Sequence, residues 1–205
     1  MDVIPVVYPE SDDTYLLADA LSKDFNTILV LGEIGLITVE VGPGGGYVSK
    51  TFMDLCAKAK KPVFHLGLDV NMRAASETRA VCGNVSQIDC VNIDMFEGIR
   101  RDVHPDVIFC NPPYVPSSPI NRARDIRASY AGGERGREFI DAFLPVVAER
   151  LAPGGVFYFL LEKRNDIEEV LDIAKSQYGF ESTFILDRKI RGEHLYVYRF
   201  TSPLS

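Results

Sequence analysis

At 205 residues, 46% hydrophobic and 25% charged, the chain has the size and make-up of one soluble globular domain that buries a full core without disulfide or metal staples. No apolar run approaches the ~20 residues a membrane-spanning helix needs, and Met1-Asp2-Val3-Ile4-Pro5 lacks the basic-then-apolar pattern of a signal peptide. A cytosolic location, with the nucleus as a second, is therefore expected. The net charge of −7 counts against a grip on a nucleic-acid backbone, which needs many uncompensated Lys and Arg.

Ser11-Asp12-Asp13 reads as the cap of a helix over 14–21. The apolar run 28–31 fits a helix end or an extra strand. The run 36–41, closing in Glu40-Val41-Gly42, reads as the first strand, followed by a helix over 47–59. A second strand over 64–68 ends at Asp69, a helix spans 71–81, and a third strand over 88–92 ends near Asp94. Cys56, Cys82, Cys90 and Cys110 show neither CxxC nor Cys/His spacing, which predicts free, mostly buried thiols and no zinc site. A fourth strand, 107–110, runs straight into Asn111-Pro112-Pro113-Tyr114, and a proline-bearing loop covers 115–129. A helix over 138–151, a strand over 155–161, a helix over 167–178 and strands over 182–186 and 195–200 complete the chain. The link 187–194 is too short for a crossover helix, so the last two strands form an antiparallel hairpin. The whole of 1–205 thus reads as a single α/β domain: a seven-stranded, mostly parallel, Rossmann-like sheet with an antiparallel last strand.

In open sheets of this kind a ligand sits beyond the carboxyl ends of the strands, where strand order reverses. The places just after the first four strands all carry polar or glycine-rich sequence: 40–46, Asp69, Asp94 and 111–114. In Glu40-Val41-Gly42-Pro43-Gly44-Gly45-Gly46 the glycines allow close approach to a ligand. A dinucleotide site prefers G-x-G-x-x-G with a pyrophosphate at the helix N-terminus. Here Glu40 stands in front, where it repels a pyrophosphate and welcomes an amino group. Asp69 is placed to bind ribose hydroxyls and Asp94 to accept from an adenine amino group. Three carboxylates beside a glycine loop suit a phosphate-free cofactor with a positive sulfonium, S-adenosyl-L-methionine, over NAD.

Asn111-Pro112-Pro113-Tyr114 is the sharpest feature. The double proline stiffens the turn and leaves carbonyls free to accept, Asn111 supplies a neutral oxygen acceptor, and Tyr114 a flat aromatic face. The lone pair of an amide or aromatic amine is delocalised, as the ~18–20 kcal/mol barrier to amide rotation shows. Acceptors on both N–H groups, the Asn111 side-chain oxygen and the Pro112 carbonyl, aim that lone pair and stabilise the positive charge developing on nitrogen. A second acceptor class, an adenine amino group flipped from DNA or RNA onto Tyr114, suits the same chemistry. A nucleoside-binding scaffold without catalysis is the alternative from outside the enzymes. The arginines Arg122, Arg124 and Arg127, with Arg135 and Arg137 close behind, flank the motif; a solvated loop and a substrate-docking lid are the two readings of the first three.

Together these residues resemble the class I methyltransferases of the HemK type over nearly the whole chain. Val7-Tyr8-Pro9-Glu10-Ser11-Asp12-Asp13-Thr14 is similar to the family's Y-x-P-x-x-D-T segment, 40–46 to its E-x-G-x-G-x-G loop, and 111–114 to its signature. Tyr130-Ala131-Gly132-Gly133-Glu134-Arg135-Gly136-Arg137-Glu138 resembles a Gly-Gly segment of the eukaryotic and archaeal branch, with Tyr130 where many members have Trp. The resemblance implies that Tyr8, Thr14, Glu40, Gly42, Gly44, Gly46, Asp69, Asp94 and Asn111 contact the cofactor, and that Asn111, Pro112, Pro113 and Tyr114 carry catalysis. The absence of a separate N-terminal helical domain points to the short release-factor glutamine methyltransferases. These act on the glutamine of the Gly-Gly-Gln tip of a class 1 release factor, with a small zinc-binding activator subunit that adds a strand beside 88–92. A bare apolar edge there makes such a cover physically sensible. The family is also linked to lysine methylation, which no residue of this chain indicates.

Overall fold

A computed structural model describes residues 7–83, 87–118 and 130–204. Helices α1 (Asp12–Lys23) and α2 (Phe25–Leu29) lead into β1 (Leu36–Val41), α3 (Tyr47–Ala59), β2 (Val63–Asp69), α4 (Met72–Cys82) and β3 (Ile88–Asn92). After 93–106, which holds turns and no helix, come β4 (Val107–Cys110), α5 (Glu138–Arg150), β5 (Val156–Glu162), a 3-10 turn (Lys163–Asn165), α6 (Ile167–Tyr178), β6 (Glu181–Ile190) and β7 (Glu193–Thr201). The sheet order is β3-β2-β1-β4-β5-β7-β6. The first five strands of that order are parallel, and β7 runs antiparallel to both β5 and β6.

The expected elements are present, with three refinements. The run 28–31 belongs to a helix end: Ile28 is buried in α2, and the Lys61 ammonium donates to the carbonyls of Leu29, Leu31 and Gly32 at 3.1, 2.6 and 2.8 Å, which stops the helix there. The first helix begins at Asp12, two residues before its expected start, with Ser11 as N-cap. The hairpin strands extend through most of 187–194, pairing Ile190 with Glu193 and leaving Arg191-Gly192 as the turn.

Strand β5 explains the layering. Val156, Tyr158 and Leu160 pack with α1, α2 and α3 residues such as Leu17, Ile28 and Phe52, while Phe157, Phe159 and Leu161 pack with Phe143 and Val147 of α5 and Val170 of α6. A strand apolar on both faces reads as an unbroken hydrophobic run because helices cover both sides. Cys56, Cys82 and Cys110 are buried, Cys90 is half-buried, and all four are free.

Strand order reverses between β1 and β4. Their register pairs Val41 with Cys110, so the glycine loop and Asn111 leave the sheet side by side. At the other side the sheet ends on β3, and the helix-free 93–106 leaves one face near that edge open: Ile37 is 41% and Phe64 47% exposed, and they are register partners on β1 and β2.

Candidate active site

The cofactor half grows out of β1 and β2. Gly42, Gly44 and Gly46 have φ of +74°, +56° and +85°. A Cβ on Gly42 or Gly45 would meet nothing within 4 Å, and one on Gly44 only the Tyr8 carbonyl oxygen at 4.0 Å, so the loop faces open space that side chains would fill. Gly46 serves packing instead, since a Cβ there would lie 2.7 Å from the Thr78 Cα. Asp69, at the end of β2, accepts from Asn71 N at 2.8 Å and Gly44 N at 3.2 Å. The helix cap itself is Asn71, whose side chain takes the Arg73 N–H at 3.0 Å. Burial holds the Asp69 carboxyl above its usual range despite those two bonds.

Glu40 lies beneath the loop, 2% exposed, and accepts from the Ser49 hydroxyl. Behind Ser49 stand His65 (Nε2 to Oγ, 2.9 Å) and Thr38 (Oγ1 to Nδ1, 2.9 Å). With Ser49 donating to Glu40, His65 donates from Nε2 and accepts from Thr38 at Nδ1, so each hydrogen points toward the carboxylate. Burial pushes Glu40 up to about 8, with neighbouring Asp69 adding to the rise, and lowers His65 to about 3, so His65 stays neutral, its ring stacked on Phe109 at 5.4 Å. Two shielded carboxyl groups, which a nearby cation would help to ionise, beside an open glycine cradle fit a nucleoside cofactor that carries positive charge and no phosphate.

The acceptor half is assembled from four regions. Asn111 Oδ1 is shut off from solvent and accepts no hydrogen bond from any described residue. Such an orphan costs about 1–3 kcal/mol and asks for a donor from outside the chain. Tyr114, 5% exposed, reaches Asp13 Oδ2 and Glu193 Oε2 with its hydroxyl, each at 3.3 Å. Burial first, then those two carboxylates, hold its phenol far above the usual range, so it remains a donor. The Tyr8 hydroxyl adds contacts to Ser11 Oγ at 3.0 Å and Asp13 Oδ2 at 3.4 Å. Tyr8, Asp13, Tyr114, Tyr130, Ile190 and Glu193 line a cleft of about 400 Å³.

The expected residues divide accordingly. Glu40, Gly42, Gly44, Gly46 and Asp69 gather at the carboxyl ends of β1 and β2, with Asn111, Pro112, Pro113 and Tyr114 beside them at the end of β4. Tyr8 joins the halves, its carbonyl near Gly44 and its ring in the cleft. Thr14 is drawn into the start of α1, where Oγ1 accepts from Ser11 N at 3.3 Å. Asp94 opens the turn after β3 with an exposed side chain. Arg122, Arg124 and Arg127 lie outside the described residues. Arg135 is paired with Asp166 and Glu169, and Arg137 with Asp141 and Glu169, so neither is an uncommitted cation. Sequence reasoning missed Asp13, which it took for a cap, and Glu193, which it left in the hairpin link. A buried acid at a helix start has the local pattern of a solvated one, and only the tertiary fold brings residue 193 to residue 13.

No family model matches the chain. It is 36% identical over 200 residues to Methyltransferase HEMK2 of Homo sapiens, an alignment covering 95% of this chain and 89% of the human protein. It is 29% identical over 205 residues to the eRF1 methyltransferase catalytic subunit mtq2 of Schizosaccharomyces pombe, covering 94% of this chain and 88% of that one. Among solved structures, the E. cuniculi Mtq2–Trm112 complex, responsible for methylation of the eRF1 translation termination factor, superposes with a TM-score of 0.69 at 26% identity. That match covers 96% of this chain and 99% of the other.

Proposed function

The chain belongs to the HEMK2 methyltransferase family, and on that premise we propose that it methylates the side-chain nitrogen of the Gly-Gly-Gln glutamine in a class 1 translation release factor, eRF1. The observation that carries this reading is the solvent-shielded Asn111 Oδ1 at the end of β4, without a partner among the described residues. A primary amide brings two N–H donors on one planar nitrogen. One satisfies Asn111 Oδ1; the other goes to the Pro112 carbonyl, which no described donor reaches. A hydroxyl or thiol acceptor has one hydrogen and fills one of these places only.

S-adenosylmethionine, when bound, supplies an electrophilic methyl group on a sulfonium sulfur. Glu40, Gly42, Gly44 and Asp69 would hold it, with Gly46 keeping the loop packed on Thr78 and with Tyr8, Thr14, Asp94 and Asn111 as further contacts. The protein's own part is positional and electrostatic. Asn111 and Pro112 draw positive charge toward the hydrogens as it develops on the amide nitrogen, lowering the barrier without removing a proton first. Tyr114 and Tyr130 wall the cleft and keep water from the amide, and the Tyr8–Asp13–Tyr114 contacts fix the wall. The proton passes to solvent after transfer, as the methylated amide, cationic and acidic, leaves the cleft.

A Trm112-type activator is the partner, as in the E. cuniculi complex. The β3 edge, unpaired among the described residues, and the half-exposed Ile37 and Phe64 near it supply a backbone ladder and an apolar floor for it. No helix among the described residues is long and apolar enough to cross a membrane. A cytosolic location follows from the proposed substrate.

The test is transfer of label from S-adenosylmethionine to the release factor and to its Gln→Ala form at the Gly-Gly-Gln tip, with and without activator and with DNA as a parallel acceptor. Label on the wild-type factor alone is expected; label on the Gln→Ala form or on DNA contradicts the reading.

A further inference from the structure

We propose that Asn165 is a positioning residue for the acceptor half: its side-chain amide ties the carbonyl of Tyr114 to the glycine segment 135–136 and so sets where Asn111 and Tyr114 stand. The proposal rests on the reading of 111–114 as the catalytic segment.

Asn165 ends the 3-10 turn after β5 and is fully buried. Its Oδ1 accepts from Glu162 N at 2.8 Å, which fixes the side-chain rotation and turns the NH2 group the other way. There Nδ2 meets three carbonyls: Tyr114 at 2.9 Å, Gly136 at 3.2 Å and Arg135 at 3.3 Å. Two hydrogens serve three acceptors, and the shortest contact goes to the catalytic segment. No aliphatic side chain can replace this group, because the carbonyls would be left buried and unpaired.

The surrounding geometry leaves the link no slack. Gly136 has φ +68°, and a Cβ there would lie 2.0 Å from the Tyr114 oxygen and 2.6 Å from Asn165 Nδ2. Val115 N donates to Tyr130 O and Gly132 N to Val115 O, both at 2.8 Å, so the two segments run side by side beyond the tie. From outside, Arg135 pairs with Asp166 and Glu169, while buried Arg137 reaches Glu169 at 2.5 Å and Asp141 at 2.6 Å. The catalytic segment is thus held at one end by β4 and at the other by the Asn165 amide, next to the Val115 bonds to Tyr130 and Gly132 and the Tyr114 hydroxyl contacts. The two prolines between have fixed φ, which leaves fewer torsions to absorb a shift of the Tyr114 carbonyl before it reaches Asn111.

Asn165→Asp keeps the shape and the Glu162 contact but turns a carboxylate oxygen toward three carbonyls. With the activator present and the wild-type release factor as acceptor, kcat is expected to fall by about 30-fold or more, since ~1 Å of misplacement suffices for a loss on that scale. Affinity for S-adenosylhomocysteine by calorimetry is expected to stay within about twofold of wild type, because Asp69 and the glycine loop make no contact with Asn165. A kcat equal to that of wild type overturns the proposal, as does a loss shared in proportion between kcat and cofactor affinity, the mark of a general folding defect. If Asn165→Asp is insoluble, the exposed Arg135→Gln is read instead: a fall in kcat of about three- to tenfold at unchanged cofactor affinity supports the clasp, and an unchanged kcat overturns it. No transfer by the wild-type pair overturns the underlying reading and this one with it. Transfer by wild type with unaltered variants overturns this one alone.

Discussion

The candidate cofactor half of the site takes Glu40, the glycine loop and Asp69 from one strand–loop–helix–strand stretch between residues 40 and 69, whereas the cleft of the candidate acceptor half takes Tyr8, Asp13, Tyr114, Tyr130 and Glu193 from segments spread between residues 8 and 193. The first is anchored by hydrogen bonds from buried elements: Ser49 and His65 behind Glu40, and two backbone N–H groups on Asp69. The second is a set of loop, helix-start and hairpin side chains held by a few long contacts around the Tyr114 hydroxyl. A common cofactor can be bound by one local unit. An acceptor that arrives on another protein needs a wall whose parts come from several elements and adjust separately.

If the halves are functionally separate, substitutions in one should leave the other's observable alone. The largest effect is expected for Asn111→Ala: kcat falls by about 100-fold or more, on the scale of losing one transition-state hydrogen bond, while cofactor affinity stays within about threefold. Loss of cofactor binding with normal turnover at saturation would break the division at this residue. Asp69→Ala is the converse. With ribose hydroxyls left unpaired at an expected cost of roughly 1–3 kcal/mol, cofactor affinity should weaken about 5- to 150-fold while kcat at saturation stays near wild type. Unchanged affinity in calorimetry would remove Asp69 from the cofactor half.

A smaller effect separates the halves by pH. Burial raises Glu40 to about 8 in the folded chain, against 4.5 for the ordinary group. The folded state therefore keeps a proton that the unfolded state has lost between those values. The stability this group contributes is full below the lower pH and declines as pH rises through the higher one. Glu40→Gln removes that dependence, and His65 is common to both proteins. In cofactor-free protein the melting temperature of the variant relative to wild type should climb from pH 5 to pH 8, by an amount equivalent to roughly 1–4 kcal/mol. A constant gap would show that Glu40 is not desolvated. The smallest effect is expected for Tyr114→Phe, which keeps the ring and removes the hydroxyl between Asp13 and Glu193: kcat falls about two- to tenfold, with cofactor affinity unmoved.

The same contrast explains what was legible in the sequence. The succession of strands and helices, the hairpin and the residues at the carboxyl ends of the strands follow from local periodicity and from glycine and proline placement, which one stretch of chain displays by itself. The double proline after an apolar strand marked 111–114 for the same reason. Asp13, Glu193 and Asn165 stayed hidden because their roles depend on burial and on partners far away in sequence: Asn165 lies 51 positions from the Tyr114 carbonyl it holds. The run 28–31 was ambiguous because the group that ends its helix, Lys61, is itself distant. Ser49 and His65 carried no signal either, as a helix serine and a strand histidine are ordinary until the fold lines them up behind Glu40.

The most direct test of the central claim is a crystal structure of the chain with its activator, S-adenosylhomocysteine and a peptide containing Gly-Gly-Gln. The glutamine amide nitrogen should stand within hydrogen-bond distance of both Asn111 Oδ1 and the Pro112 carbonyl oxygen, between Tyr114 and the cofactor sulfur. A peptide bound elsewhere, or an Asn111 oxygen still without a donor when the glutamine is in the cleft, would contradict the account.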